Sequence, residues 1–396
     1  MKPLFARLAA LGLAACVAAS CGSGARAMES LDSYLAQVRA RYGLPALAAA
    51  VARNGEIIAA GAVGTRVAGK DIPVTLEDRF HLGSDTKALT ATVAGTLVDE
   101  GKIKWTTTLG EVLGKKVQGI NPALAAVTLE QLLDHTSGIP SDTPEIIDIY
   151  FNPVEFQKGP TDLRLDALER WKAHAPQVPK EGSPFQYANL GYIFAGAMLE
   201  EVSGQSWEQL VRERIYEPLG LKTAGFGPQA TFGRYDAPFG HSIDDKGVVT
   251  PIGWGSAADI PAVTGPAGIA HMSVLDFARW ADWNAGGGKR GPAIVKPETL
   301  AEIHRPRVKT PPFKDPPPGT PAAGEYAFGW GIVAFDWARA PVLTHNGSNS
   351  MNLAKVLVEP VSQLSVVVVT NYPEQQAEKA AREVQQHLYE MFRDRR

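Results

Sequence analysis

Cysteine is nearly absent from this sequence: of 396 residues only Cys16 and Cys21 carry a thiol, both within the first 27 positions. A chain cleaved after Ala27 would have none, which excludes disulfides, a cysteine nucleophile and thiolate-bound metal. No sign of charge dominates either. The formal net charge is −3 and no stretch is strongly basic, so the electrostatic footprint of a nucleic-acid-binding surface is missing. The eight histidines include no pair spaced by four and no His-Glu-x-x-His, which argues against a zinc protease. There is no Gly-x-Ser-x-Gly, hence no α/β-hydrolase nucleophile elbow, and no Walker-type phosphate loop. No metal and no cofactor are expected.

The first 27 residues read as a targeting segment. Lys2 and Arg7 form a positive start, Leu8 to Ala19 a short apolar run, and Ala25-Arg26-Ala27 a small-x-small cleavage site. The apolar run is too short to span a bilayer. Losing Lys2, Arg7 and Arg26 takes the net charge from −3 to −6. Leu13-Ala14-Ala15-Cys16, and less closely Ala19-Ser20-Cys21, also match a lipoprotein processing box. The expectation is an exported protein, periplasmic or extracellular, either free or held to a membrane through a lipidated cysteine. Its oligomeric state is not readable.

The rest, 45% hydrophobic and 20% charged over the whole chain, has a globular composition and is long enough for two lobes. Leu44 to Val63 is two apolar runs around Arg53-Asn54-Gly55, a hairpin signal. Ser84 to Val98 is small and apolar with no breaker, which predicts a buried helix starting at the serine. From Leu109 to Trp280 the pattern is mostly helical, clearest at Leu129–Leu133, Leu163–His174 and Leu190–Val202. Pro311 to Pro321 reads as an exposed loop. Strands return at Gly331–Phe335, Val342–Thr344, Leu353–Val358 and Leu364–Thr370, and an amphipathic helix closes the chain at about Pro373–Phe392. Strands at both ends predict an α/β fold of the α+β type: one antiparallel sheet assembled from the two termini, flanked by helices, with an inserted helical lobe. The sheet lobe takes in about 28–108 and 281–396, the helical lobe about 109–280. A ligand belongs in the crevice between them.

The chemistry centres on Ser84-Asp85-Thr86-Lys87. Serine and lysine three apart on a helix share a face, so the amine can reach the hydroxyl. At a helix N-terminus the serine oxygen lies in a field that favours negative charge. A buried lysine of lowered pKa could then take the serine proton. Alone the pattern is weak, since about one Ser-x-x-Lys is expected by chance in a chain this long.

Its surroundings add the specificity. Phe80 to Lys87 resembles the nucleophile segment of the serine β-lactamase and penicillin-binding-protein group, which includes class C β-lactamases, D-alanyl-D-alanine carboxypeptidases and family VIII esterases. Leu132 to Pro140, Phe185 to Tyr192 with its Tyr-x-Asn, Gly265-Pro266-Ala267-Gly268, Asp276 to Trp280, Gly329-Trp330-Gly331 and His345-Asn346-Gly347 resemble further segments in the same order. The likeness covers about residues 32–392. A β-lactamase/transpeptidase-like fold is therefore implied.

That resemblance implies a serine hydrolase whose Ser84 is acylated and then freed by water. Tyr187 would act with Lys87 as general base, as a phenolate favoured by nearby positive charge. Asn189 would hydrogen-bond Lys87 and a substrate amide, and the backbone N–H groups of Ser84 and of Ser348, after Gly347, would form the oxyanion hole. Tyr150-Phe151-Asn152 repeats Tyr-x-Asn, but Pro153 follows and the flanks do not match, so it reads as a loop. His81, His135 and His271 read as structural. Two departures matter. His345 stands where class C β-lactamases have lysine, and Ser348-Asn349-Ser350-Met351 lacks the later glycine many relatives carry. An ordinary imidazole, with a pKa of about 6.5, offers a hydrogen bond and little charge at neutral pH. Short esters are therefore expected first, then D-amino-acid peptides or amides, then β-lactams, as small-molecule or peptide substrates. The alternative is a non-catalytic relative that binds peptidoglycan-like ligands or senses them.

Overall fold

The computed structural model describes residues 28–152 and 157–395. The targeting segment read at 1–27, with Cys16 and Cys21, lies outside the described residues. The main sheet runs, edge to edge, Glu29–Ser30, Glu56–Gly64, Ala46–Arg53, Leu364–Thr370, Leu353–Glu359, Val342–Ser348, Gly331–Val333, Glu325–Tyr326 and Val308–Lys309. Its pairings are antiparallel, apart from Glu29–Ser30 alongside Glu56–Gly64.

The sheet is closed by the two ends of the chain, as the strand pattern predicts. Ala46–Arg53 pairs with Leu364–Thr370, Val51 facing Val366. Strand alternation sends Ala46, Ala48, Ala50 and Ala52 into one core and Leu47, Ala49 and Val51 into the other. Both faces are covered, which is why this strand reads as a continuous apolar run. The hairpin that follows this strand turns at Asn54 and Gly55, whose φ of 54° and 97° are the paired positive values a two-residue turn requires.

Helices Asp32–Tyr42 and Glu374–Phe392 cover the outer face through Leu35, Val38, Val384 and Leu388. Helix Val274–Ala285 crosses the inner face. The span 109–280 is therefore not uniformly helical. It holds the helices from Leu109–Leu113 to Glu217–Leu219, then short strands at Gly225–Phe226, Gly240–Ile243, Val249–Ile252 and Ala270–Ser273, then the start of that sheet-covering helix.

Helix Thr86–Asp99 runs through the middle of the molecule, against Asn189–Ser203, Gly265–Gly268 and Pro297–His304. Every residue from Thr86 to Leu97 is buried. Its threonine hydroxyls find carbonyls, Thr90 on Pro266 at 2.7 Å and Thr96 on Val93 at 2.7 Å, so the burial leaves them paired. A helix sealed on all sides fixes whatever stands at its start.

Candidate active site

Strand Arg79–His81 pairs with Ala270–Ser273 and delivers the chain to a single 3-10 turn, Gly83–Asp85. The α-helix begins only at Thr86, two residues after the start expected at Ser84, which sits instead on the tight turn ahead of it. Gly83 has φ +50°, and a Cβ there would lie 2.2 Å from Ser348 N. A Cβ on Gly347 would lie 1.7 Å from Leu82 O and 2.9 Å from Ser84 N. Two glycines thus let two backbone segments touch, and their contact makes the amides of Ser84 and Ser348 neighbours.

Lys87 is fully buried. Its Nζ donates to Ser84 Oγ at 2.9 Å, Asn189 Oδ1 at 2.8 Å and Ala267 O at 2.8 Å. Burial lowers its pKa to about 7, against the carboxylates of Asp142 and Asp85, which pull it upward. A free amine is thus accessible near neutral pH, in contact with the serine hydroxyl.

Tyr187 places its ring 4.7 Å from Lys87 Nζ and shares a hydrogen bond with the Ser84 side chain. The phenolate expected from the sequence does not fit this environment. Burial raises the phenol pKa, the Ser84 bond lowers it in part, and Asp85 and Asp142 raise it further. Tyr187 rests as a neutral phenol, and Lys87 is the group poised to accept a proton. His135 seats the tyrosine. Its ring lies 4.3 Å from that of Tyr187, its Nδ1 accepts from Ala188 N at 3.1 Å, and burial holds its pKa well below the usual value.

Asn189 opens helix Asn189–Ser203, and its Nδ2 donates to Asp142 Oδ2 at 2.8 Å. Asp142 Oδ1 accepts from Tyr150 O–H at 3.0 Å. Asp142 stands out in no motif of the sequence. Tyr150, read as part of a loop, ends helix Pro144–Tyr150 and faces the site through this bond. The only local signal for Asp142 was its place two residues beyond the Leu132–Pro140 segment.

His345 reaches the site, but both ring nitrogens are engaged within the protein. Nε2 is 3.0 Å from Tyr326 O–H, and Nδ1 is 3.0 Å from Asn346 O and 3.4 Å from Asp85 Oδ1. Asp85, the residue after the nucleophile, is buried, which raises its pKa; His345, Lys355 and Lys87 lower it in part.

Two hollows border these residues. One of about 240 Å³ is lined by Ser84, Asp142, Asn189 and Ser348 with apolar Ile147, Phe151 and Ile260. The other, about 530 Å³, is lined by Tyr187 and His345 with Phe185, Pro311, Phe313 and Tyr326. Neither lining includes an arginine or lysine, and the larger has one carboxylate, Glu325. Among the described residues no cluster of three or more His, Cys, Asp or Glu could hold a metal ion.

The chain is 26% identical over 346 residues to penicillin-binding protein 4 of Amycolatopsis lactamdurans, covering 84% of this chain and 82% of that protein. It is 22% identical to protein flp of Staphylococcus aureus over 87% of its own length, and spans only 63% of that longer protein. In fold it matches the D-amino acid amidase of Ochrobactrum anthropi with a TM-score of 0.70 at 20% identity, over 92% of this chain and 98% of that one. The Beta-lactamase family model matches residues 31–389, a span that contains every residue of the site. The chain belongs to the β-lactamase family of hydrolases.

Proposed function

We propose that this protein is a serine acyl hydrolase acting on uncharged esters or amides through an acyl-enzyme at Ser84. The observation that carries the reading is the 2.9 Å contact between Ser84 Oγ and a buried Lys87 amine whose pKa is near 7. Lys87 accepts the hydroxyl proton as Oγ attacks the carbonyl carbon. The oxyanion is held by the backbone N–H groups of Ser84 and Ser348. As the intermediate collapses, the neutral Tyr187 phenol gives its proton to the leaving group and recovers one from the Lys87 ammonium. Water then attacks the ester by the reverse relay.

The proton donor lines the larger hollow, which therefore takes the leaving group; Ser84 and Asn189 line the smaller, which takes the acyl group. The larger hollow offers aromatic and proline surface, Glu325 and no lining cation, so a carboxylate there would be desolvated without a partner. That supports short neutral esters ahead of β-lactams. A second reading, an amino-acyl amide, is supported by exposed Asp142 in the acyl hollow, where a protonated amine would be matched. Export belongs to the same proposal and rests on residues 1–27 alone.

The test is labelling of purified protein with a fluorophosphonate probe, followed by turnover of short esters, D-amino-acid amides and β-lactams. Adduct on Ser84 with ester turnover is expected. An unlabelled, inactive but folded protein would favour the binding-only alternative.

A further inference from the structure

Behind the two amides assigned to the oxyanion hole lies a closed ring of side chains that the proposed chemistry does not use. The backbone N–H of Gly83 donates to His81 Nδ1 at 3.0 Å. Nδ1 is thereby an acceptor, and Nε2 lies 2.9 Å from Asp259 Oδ1, a close polar contact without the alignment of a hydrogen bond. The same Oδ1 accepts from Asn349 Nδ2 at 3.2 Å and from the adjacent Ile260 N at 2.7 Å. Asn349 Oδ1 accepts from Asn352 Nδ2 at 3.0 Å and Met351 N at 3.2 Å. Asn352 Oδ1 accepts from Gln229 Nε2 at 3.0 Å, and Gln229 Oε1 accepts from His81 N at 2.9 Å, which closes the ring.

His81, Gln229, Asn349 and Asn352 are all buried, and the Asp259 side chain is 5% exposed. They come from four separate parts of the chain. Five polar side chains are costly to bury together unless they bond to one another, so the ring holds one geometry or breaks. Two of its members border the oxyanion donors: His81 grips the residue before Ser84, and Asn349 follows Ser348. Asp259 joins the two.

We propose that Asp259, with His81 and Asn349, is a positioning device that sets the separation of the Ser84 and Ser348 amides. None of the three touches the reacting atoms. A donor pair held at fixed spacing stabilises the charge that develops in the transition state more than the bound substrate. The inference rests on the acyl-hydrolase reading. It predicts a loss in kcat with little change in KM, because the ring orients groups that matter chiefly after attack begins.

The experiment compares Asp259→Ala with Asp259→Asn in the full chain, where the asparagine keeps an oxygen able to accept from Asn349 and to lie against His81 Nε2. Asp259→Ala is expected to lower kcat tenfold to a hundredfold with KM within threefold, and to weaken a boronic-acid tetrahedral mimic in parallel with kcat/KM. Asp259→Asn is expected to restore both to within threefold of wild type. Asn349→Ala, which opens the ring at another point, repeats the measurement should Asp259→Ala fail to fold. Either ring-opening variant retaining wild-type kcat and inhibitor affinity would overturn the proposal. So would a loss confined to thermal stability. A wild-type protein that no fluorophosphonate labels would instead defeat the acyl-hydrolase reading itself, so the two failures are distinguishable.

Discussion

Asn189 Nδ2 donates to Asp142 Oδ2 at 2.8 Å, and that bond decides which end of the Asn189 amide faces Lys87. With the nitrogen held by a carboxylate, the oxygen is left to accept from Lys87 Nζ at 2.8 Å. Asp142 therefore acts on the lysine twice, by orienting its acceptor and by favouring its charged form.

This gives a pH prediction with a defined sign. Lys87 accepts a proton only as the free amine, so kcat/KM should rise with pH through about 7, the value to which burial lowers it. Asp142→Asn keeps an oxygen for Asn189 but removes a charge that stabilises the ammonium. The lysine pKa falls further, and the acid limb of the profile should move to lower pH. Activity at pH 8 is expected to stay within about tenfold of wild type, since Lys87 is then mostly free amine in both proteins. A limb that stays in place would show that Lys87 is not the titrating group.

Ser84→Ala should abolish turnover with the fold retained. The serine stands on a one-turn 3-10 segment ahead of the buried helix and caps neither, so its loss removes no capping bond. Circular dichroism and thermal melting check the fold; activity within tenfold of wild type would remove Ser84 from the mechanism.

Lys87→Ala and Tyr187→Phe should each lower kcat by roughly three orders of magnitude, and the double variant by little more. Groups that pass one proton in turn are strongly non-additive. Tyr187→Phe is the cleaner probe, because Lys87 is fully buried and its truncation also leaves a cavity. Losses that multiply in the double variant would mean that only one of the two handles the proton.

The sequence was most legible where chemistry and local geometry coincide. Ser84 and Lys87 are three apart, so any helix there juxtaposes them, and Asn189 could be picked out from its flanks. Val51 and Val366 could be assigned to strands but not to one another, since their pairing joins opposite ends of the chain. Asp259 and Gln229 carry no local pattern at all, and Asp142 only its place just beyond the Leu132–Pro140 segment. Each matters only because a loop distant in sequence brings it to Asn189, His81 or Asn352. The Tyr187 phenolate was misjudged for a related reason: nearby lysine was foreseeable, but full burial and two flanking carboxylates were not.

Ser350 shows the same limit and supplies another prediction. In the stretch after Gly347 that lacks a further glycine, Ser350 stands at φ +66°, and its N–H donates to Ser348 Oγ at 3.0 Å. A left-handed turn is thus made without glycine, the residue that tolerates it best, at a cost of about 1 kcal/mol. Ser350→Gly should therefore stabilise the protein by roughly 0.5–1 kcal/mol, part of the relief being offset by unfolded-chain entropy. Urea denaturation measures it, and kcat/KM should stay within twofold. A destabilised variant would show that the serine side chain holds the cleft wall.

Substrate preference is the sharpest test of the site as a whole. The resemblance to class C β-lactamases puts His345 where they carry a lysine, and its ring nitrogens are engaged by Tyr326, Asn346 and Asp85. No lysine or arginine in the lining of the larger hollow replaces that charge, and Glu325 opposes an anion. A nitrophenyl butyrate ester should therefore be turned over with higher kcat/KM than a chromogenic cephalosporin from pH 6 to 8. Glu325→Lys should narrow the gap. Exchanging a like charge for an opposite one near the carboxylate is worth on the order of 1.4 kcal/mol or more, which is tenfold in rate. The ester rate should change less than twofold, because the ester carries no charge for Glu325 or its replacement to meet. A tenfold cephalosporin preference in the wild-type protein would overturn the neutral-ester reading. If Glu325→Lys left the cephalosporin rate unchanged, the carboxylate would have to be bound outside the larger hollow, and the assignment of that hollow to the leaving group would fall with it.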